Sequence, residues 1–329
     1  MNPIFIVALH QAGLPDDSVG ELISVAKVID PSSAPTALAC GYGAELDSVC
    51  TSLRPMFREV WKLANEHFTG SNSEAMREAL VAIVPKGSIV LLAHEHFGLD
   101  LAPGLSIKLN ASYVPDVIAV EEGLKLIRQE FNGQFSVRME CDLSAGAVIT
   151  IRPGCFKATS TASAEGVVID KSAAIPTMTL HRRYITTIPA QVGDVDITKQ
   201  TVLVSVGRGI QDQENIGLAE ELASVLGGAV SCSRPVVDAK WLEKSRQVGS
   251  SGATVSPKVY LACGISGSFQ HMTGIKGAPF LVAINKNPGA PIFQFADIGI
   301  VDDVLEFLPV LTERVREVLA GKGAAVAAR

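Results

Sequence analysis

The chain has 329 residues, of which 47% are hydrophobic and 19% charged; this argues against a disordered chain and supplies apolar material for about two domains. A net charge of −6 and an aromatic content of 5% argue against a protein that wraps nucleic acid or stacks single-stranded bases. No apolar run reaches the roughly 20 residues of a membrane-spanning helix. The opening MNPIFIVALHQAG lacks the basic region and cleavage site of a secretory leader, so a cytoplasmic location is expected.

In chain order, Ile4–Leu9 reads as a buried strand. Val19–Ile29 reads as a helix with Val19, Leu22, Ile23, Ala26 and Ile29 on one face. Thr36–Cys40 is strand-like, and Ser73–Val84 is a helix capped by Ser73 with Met76, Leu80 and Val84 on one stripe. Ser88–Ala93 is another buried strand. This alternation predicts a parallel sheet covered by helices. After about Ala111 the pattern changes: Leu124–Phe131, Phe135–Asp142 and Ala147–Arg152 are strands joined by Asn132-Gly133 and Ser144-Ala145-Gly146. Asn-Gly is a hairpin signal, so an antiparallel addition to the sheet is expected.

Residues 186–200 are polar with Pro and Gly and read as a linker, dividing a domain over 1–195 from one over 196–329. The second contains strands Thr201–Val206, Ala229–Cys232, Val259–Cys263, Phe280–Ile284 and Ile292–Phe295. Asn215–Leu226 is a helix stopped by Gly227-Gly228, and Val301–Leu319 is helical with a break at Pro309 and a frayed Ala-rich tail after Gly321. The fold class is therefore α/β: a mostly parallel N-terminal sheet with an antiparallel addition, then a smaller doubly wound, Rossmann-like domain.

The six cysteines, at 40, 50, 141, 155, 232 and 263, show no CxxC spacing and read as buried apolar groups rather than metal or cluster ligands. His94-Glu95-His96 follows a strand, but no third ligand is suggested by spacing, so a contact loop is the expectation. Gly207-Arg208-Gly209 follows a strand, where backbone amides can face a phosphate, although the third glycine of GxGxxG is missing. The run YLACGISGSFQH ends a strand at Gly264; Ser266, Gly267, Gln270 and His271 follow, small or donor-bearing groups suited to a dinucleotide. Ser233-Arg234, the loop Gln247 to Gly252, Asn285 and Asp297 lie at or after other strands of the same domain.

The segments SRPVVDA, LACGISGSFQHMTGI and VAINKNPGAPIFQFADIGIV together resemble the electron transfer flavoprotein alpha subunit, densely from Gly207 to about Leu311. HEHFGLDLAPGLSIKLNA carries a looser likeness in the N-terminal part. The resemblance implies a heterodimer with a beta subunit, an N-terminal domain facing that partner, and FAD held by the C-terminal domain. It implies single-electron transfer from an acyl-CoA dehydrogenase-type flavoenzyme to a membrane quinone oxidoreductase, with ferredoxin as the acceptor in a bifurcating mode, and no substrate chemistry of its own. By position, Arg234 is expected over the flavin ring, Ser251 near its N5, and His271 near its C2 carbonyl, stabilising an anionic semiquinone. Gln247, Gly249, Ser250, Gly252, Ser266 and Gln270 are expected along the ring or the ribityl–pyrophosphate chain. Ser233, Gly264 and Gly267 are expected in the same binding loops, and Asn285 and Asp297 at the phosphate and adenosine end. Where the family commonly has Gln-Thr-Gly-Lys, this chain has Ser250-Ser251-Gly252-Ala253; losing an amide and a cation lowers the expected flavin potential.

Two other readings stand beside this one: a bifurcating, NADH-oxidising assembly with a second FAD in the beta subunit, feeding ferredoxin or flavodoxin, and a regulatory module that holds a nucleotide structurally. A flavin oxidoreductase acting on a small substrate is disfavoured, because the loops offer Ser251 and His271 but no carboxylate.

Overall fold

The computed structural model describes residues 2–70, 72–121, 124–131, 135–159, 166–186, 195–276 and 279–327. The chain forms two compact units, Met1–Ile188 and Pro189–Arg329.

The first unit contains β1 (Ile4–Val7), β2 (His10–Gln11), β3 (Leu14–Pro15), α1 (Ser18–Ile29), β4 (Thr36–Gly41), α2 (Gly43–Leu53), β5 (Glu59–Ala64), α3 (Ser73–Ile83), β6 (Ile89–Ala93) and α4 (His96–Leu109). β7 (Ser112–Glu121), β8 (Lys125–Glu130), β9 (Phe135–Glu140), β10 (Ala147–Ile151) and β11 (Val167–Asp170) follow. Nine strands form one sheet in the order β11-β5-β4-β1-β6-β10-β7-β8-β9. Every pairing from β11 to β7 is parallel, while β7-β8 and β8-β9 are antiparallel. The strands in the middle are apolar throughout because helices cover both faces. One core joins α1 and α2 to the sheet through Leu22, Ile23, Leu46 and Val49; the other joins α3 and α4 through Met76, Leu80, Leu101 and Leu105.

Three expectations need correction here. Ala147–Ile151 is not part of the antiparallel addition: it lies between β6 and β7, parallel to both, and all five of its residues are buried. The strand that opens the addition is β7, hidden in sequence by Pro115 and by Asp116, whose φ of +60° accompanies a break in register on both sides. Ser73 is the first helical residue of α3 rather than its cap. The cap is Asn72, whose side-chain oxygen accepts from the Glu74 and Ala75 amides, while the Ser73 hydroxyl donates to Asp100. The Asn132-Gly133 turn lies outside the described residues.

The second unit contains β12 (Val202–Val206), α5 (Ile216–Leu226), β13 (Ala229–Cys232), α6 (Arg234–Asp238), β14 (Val259–Cys263), α7 (Phe269–Met272), β15 (Phe280–Ile284), β16 (Ile298–Ile300) and α8 (Val304–Ala327). Its five strands are all parallel, in the order β13-β12-β14-β15-β16. α5 and α8 pack Ala219, Leu222, Val304 and Leu308 on one face. The other face, with Leu203, Tyr260, Ala262 and Ala283, is covered by loop residues Val248, Val255, Ile265 and Ile292.

Three further expectations are corrected in this unit. Pro291 opens a single 3-10 turn over Pro291–Gln294, where a strand was expected, and the edge strand comes three residues later. Pro309 does not interrupt α8. Proline at this position forgoes one backbone bond, to the Leu305 carbonyl, but buried Leu308 and Thr312, whose hydroxyl donates to the Leu308 carbonyl, hold the turn against the core. Helix also continues past Gly321, where fraying was expected.

Candidate functional site at the carboxyl edge of the second sheet

β13, β12, β14 and β15 end side by side, and the loops that leave them converge. Ser233 leads from β13 into α6, tied by its amide to the Val206 carbonyl (3.0 Å). Arg234 begins α6 with an exposed guanidinium, held only by a 3.4 Å contact to Asp238. The loop after α6 returns to the sheet beside Cys232 through Gln247. The Gln247 side chain is buried and donates from Nε2 to the Ser251 hydroxyl (2.9 Å). That leaves the exposed Ser251 free to donate its own proton outward. The Ser250 amide bonds the Gln270 carbonyl (2.7 Å), which fastens this loop to the one after β14.

Glycine is required where these loops meet. Gly264, at φ +67°, sits against Gly209, and a Cβ on either would lie 2.6 Å from the other's Cα. A Cβ on Gly207 would lie 2.3 Å from the Gly264 carbonyl oxygen. The Gly207 and Gly209 amides donate to the carbonyls of Cys263 (2.8 Å) and Gly264 (3.0 Å). The Gly-Arg-Gly turn thus spends these two amides on the neighbouring loop rather than offering them to a phosphate.

His271, on the short α7, is 4% exposed, and its Nε2 lies 2.8 Å from the Tyr260 hydroxyl. Its Nδ1 is buried without a hydrogen-bond partner. Burial pushes its pKa down to about 4, opposed only by a loose contact with the Val248 backbone. It is therefore a neutral imidazole at neutral pH.

Gly249, Gly252, Ser266, Gly267 and Gln270 lie in these same converging loops, with Ser266 and Gln270 exposed. Asn285 ends β15 on the same edge, but its side chain is engaged: Nδ2 donates to the Ile265 carbonyl (2.9 Å) and Oδ1 accepts from the Asn287 amide (2.9 Å). Asp297 is not brought to this edge. Its Oδ2 accepts from the Leu281 amide (2.8 Å) near the start of β15.

Two comparisons decide what kind of edge this is. Residues 4–176 match the family model described as electron transfer flavoprotein domain, and residues 196–276 match the electron transfer flavoprotein FAD-binding domain. The chain belongs to the electron transfer flavoprotein family, as an alpha subunit. It is 36% identical to an electron transfer flavoprotein subunit alpha of Thermoanaerobacterium thermosaccharolyticum over 78% of each chain. It is 34% identical to the subunit of the same name from Methylophilus methylotrophus, over 93% of this chain and 97% of the relative. Against Protein FixB of Salmonella typhimurium, identity is 36% over 85% of this chain and 87% of the relative. Its cofactor is FAD, and its role is electron transfer.

A flavin needs hydrogen-bond donors at its carbonyls. The orphaned Nδ1 of His271, the outward Ser251 hydroxyl and the exposed Arg234 guanidinium meet this need; Gly249 and Gly252 let the loop close on its neighbours, since a Cβ there would lie 2.7 Å from the Gln270 carbonyl oxygen and 2.3 Å from that of Gln247. The residues present fit the cofactor. Sequence reasoning missed Tyr260, Ser205 and Ser231 behind His271. The available signal was a tyrosine in the otherwise apolar strand VYLAC and one serine in each of VLVSV and AVSC.

His94 of the first unit belongs to a different constellation. Its Nδ1 meets the Thr150 hydroxyl (2.8 Å), and its Nε2 is 3.7 Å from Asp116, which in turn is paired with Arg152. Glu95 is the residue preceding α4, and His96 is the first within it. Among the described residues, no group of three or more His, Cys, Asp or Glu is placed to hold a metal.

Proposed function

We propose that this chain pairs with an electron transfer flavoprotein beta subunit and holds FAD on the carboxyl edge of its second sheet. There it carries single electrons from an acyl-CoA dehydrogenase-type flavoenzyme to a downstream acceptor such as a membrane quinone oxidoreductase. The observation that carries the reading is the buried, partnerless Nδ1 of a neutral histidine at the mouth of converging glycine-rich loops.

When bound, FAD supplies the one-electron chemistry; the chain supplies binding and electrostatics. His271 offers a ring carbonyl an N–H. Ser251, polarised by Gln247, offers a second donor beside the ring. Arg234 adds a positive charge that favours whichever state of the ring carries negative charge. Gln247, Gly249, Ser250 and Gly252 form one wall of the site. Ser233, Gly264, Ser266, Gly267 and Gln270 lead toward the phosphates, and Asn285 braces the loop they stand on. Asp297 serves the sheet edge at β15 and β16 instead.

The test is reduction of the co-expressed alpha–beta complex by an acyl-CoA dehydrogenase and its acyl-CoA, read as passage of electrons to a dye. Turnover that depends on the complex supports the proposal. A flavin-free complex, or one that the dehydrogenase cannot reduce, contradicts it. Arg234→Ala is expected to weaken reduced flavin relative to oxidised by roughly tenfold, as loss of a nearby cation would.

A further inference from the structure

Behind His271 the sheet carries three hydroxyls that an apolar core does not need. Ser205 and Ser231 are direct neighbours across β12 and β13. Tyr260 pairs with Leu203, two residues before Ser205, so all three project from the same face. Each of the three residues is fully buried, at 0% exposure. The two serine hydroxyls have no hydrogen-bond partner of their own. They lie close enough to the Tyr260 phenol to counter part of the rise that burial imposes on its pKa. Phenylalanine in place of tyrosine, and alanine in place of serine, would remove three polar groups that are costly to bury. A role in holding the imidazole accounts for their presence.

We propose that Tyr260 is a positioning residue that fixes the tautomer of His271. The phenol donates its one proton to Nε2 across 2.8 Å. Ser205 and Ser231 stand near its oxygen without completing a hydrogen bond to it. With Nε2 occupied as an acceptor, the imidazole proton is confined to Nδ1, the nitrogen with no partner inside the protein. The Tyr260–His271 pair therefore presents an N–H, and never a lone pair, to whatever lies on the loop side. That the recipient is a flavin carbonyl rests on the proposed function.

Tyr260→Phe tests this, made in the alpha chain and studied in the alpha–beta complex by histidine nitrogen NMR and by flavin potentiometry, with His271→Gln to assign the resonances. In the unmodified complex His271 is expected with a protonated Nδ1 and an imine-type Nε2. In Tyr260→Phe the tautomer preference is lost while the FAD content stays the same. One-electron-reduced flavin is then held roughly tenfold more weakly relative to oxidised, a shift of about 59 mV. Should Tyr260→Phe fail to fold, Ser205→Ala combined with Ser231→Ala is expected to shift the potential in the same direction by less. A protonated Nε2 in the unmodified complex, or an unchanged potential in a flavin-loaded variant, overturns the relay. A complex without flavin overturns the proposed function instead, and the nitrogen shifts still decide the relay.

Discussion

Burial costs His271 its proton. With its pKa at about 4 in the folded chain, from an ordinary 6.5, the unfolded chain binds more protons across that interval, so stability falls as pH drops from about 6.5 toward 4 and levels off below. The full effect is about 3 kcal/mol for a shift of this size. Urea unfolding at stepped pH is expected to show the decline in the native chain and a flatter profile in His271→Gln; identical profiles would mean that the imidazole does not titrate as its surroundings dictate. At Ser250 the departure from the family pattern makes an opposite kind of prediction. Restoring an amide with Ser250→Gln adds a donor on the exposed loop next to Ser251 and is expected to raise the flavin potential, as read by spectroelectrochemistry. The residues proposed for the site come from small and donor-bearing runs after strand ends, a pattern the sequence displays. Tyr260 stands out in sequence only as the one phenol in the otherwise apolar VYLAC, and the 2.8 Å contact to His271 reveals its use.

Secondary structure in the second unit followed the sequence closely where an apolar run had an unambiguous end. β13, β14 and β15 fall on the expected residues because each is a short apolar run bounded by Ser, Gly or Asn. Proline was the common source of error. Pro291 starts a turn where the hydrophobic residues suggested a strand, while Pro103 and Pro309 lie inside continuous helices and Pro115 inside a strand. At Pro103, Pro115 and Pro309 neighbouring packing, which the sequence does not display, outweighs one missing backbone donor. Between elements, the turns after β12 and β14 meet at close backbone distance. Gly207→Ala would set a Cβ 2.3 Å from the Gly264 carbonyl oxygen, with backbone on both sides and no side chain free to move away. A loss of about 1–3 kcal/mol is expected, measured as a lower Tm for the second unit, together with loss of FAD. The Asn72 cap of α3 is a milder case: Asn72→Ala removes the acceptor for the Glu74 and Ala75 amides and should cost about 1 kcal/mol in denaturant unfolding.

For the whole molecule, the division of labour follows from what each unit leaves available. The first unit pairs many of its polar groups internally, as in the Arg152–Asp116 pair and the His94–Thr150 bond, although it too leaves a buried histidine nitrogen, His10 Nδ1, without a partner. The second leaves a buried histidine nitrogen without a partner, an outward hydroxyl and an exposed guanidinium at one sheet edge. The two-unit α/β plan was readable from alternating apolar runs and from the change of pattern after Ala111. The electron donor and acceptor leave no such trace in the chain, because an electron carrier needs no group shaped to a substrate. The claim that binds these observations together is that this edge holds one redox-active FAD. Its most direct test is an anaerobic reductive titration of the alpha–beta complex, followed by visible absorption and calibrated against total FAD. One FAD per heterodimer, reduced in two resolved one-electron steps, is the predicted result. A purified complex with no bound flavin, or with a flavin that cannot be reduced, would contradict it.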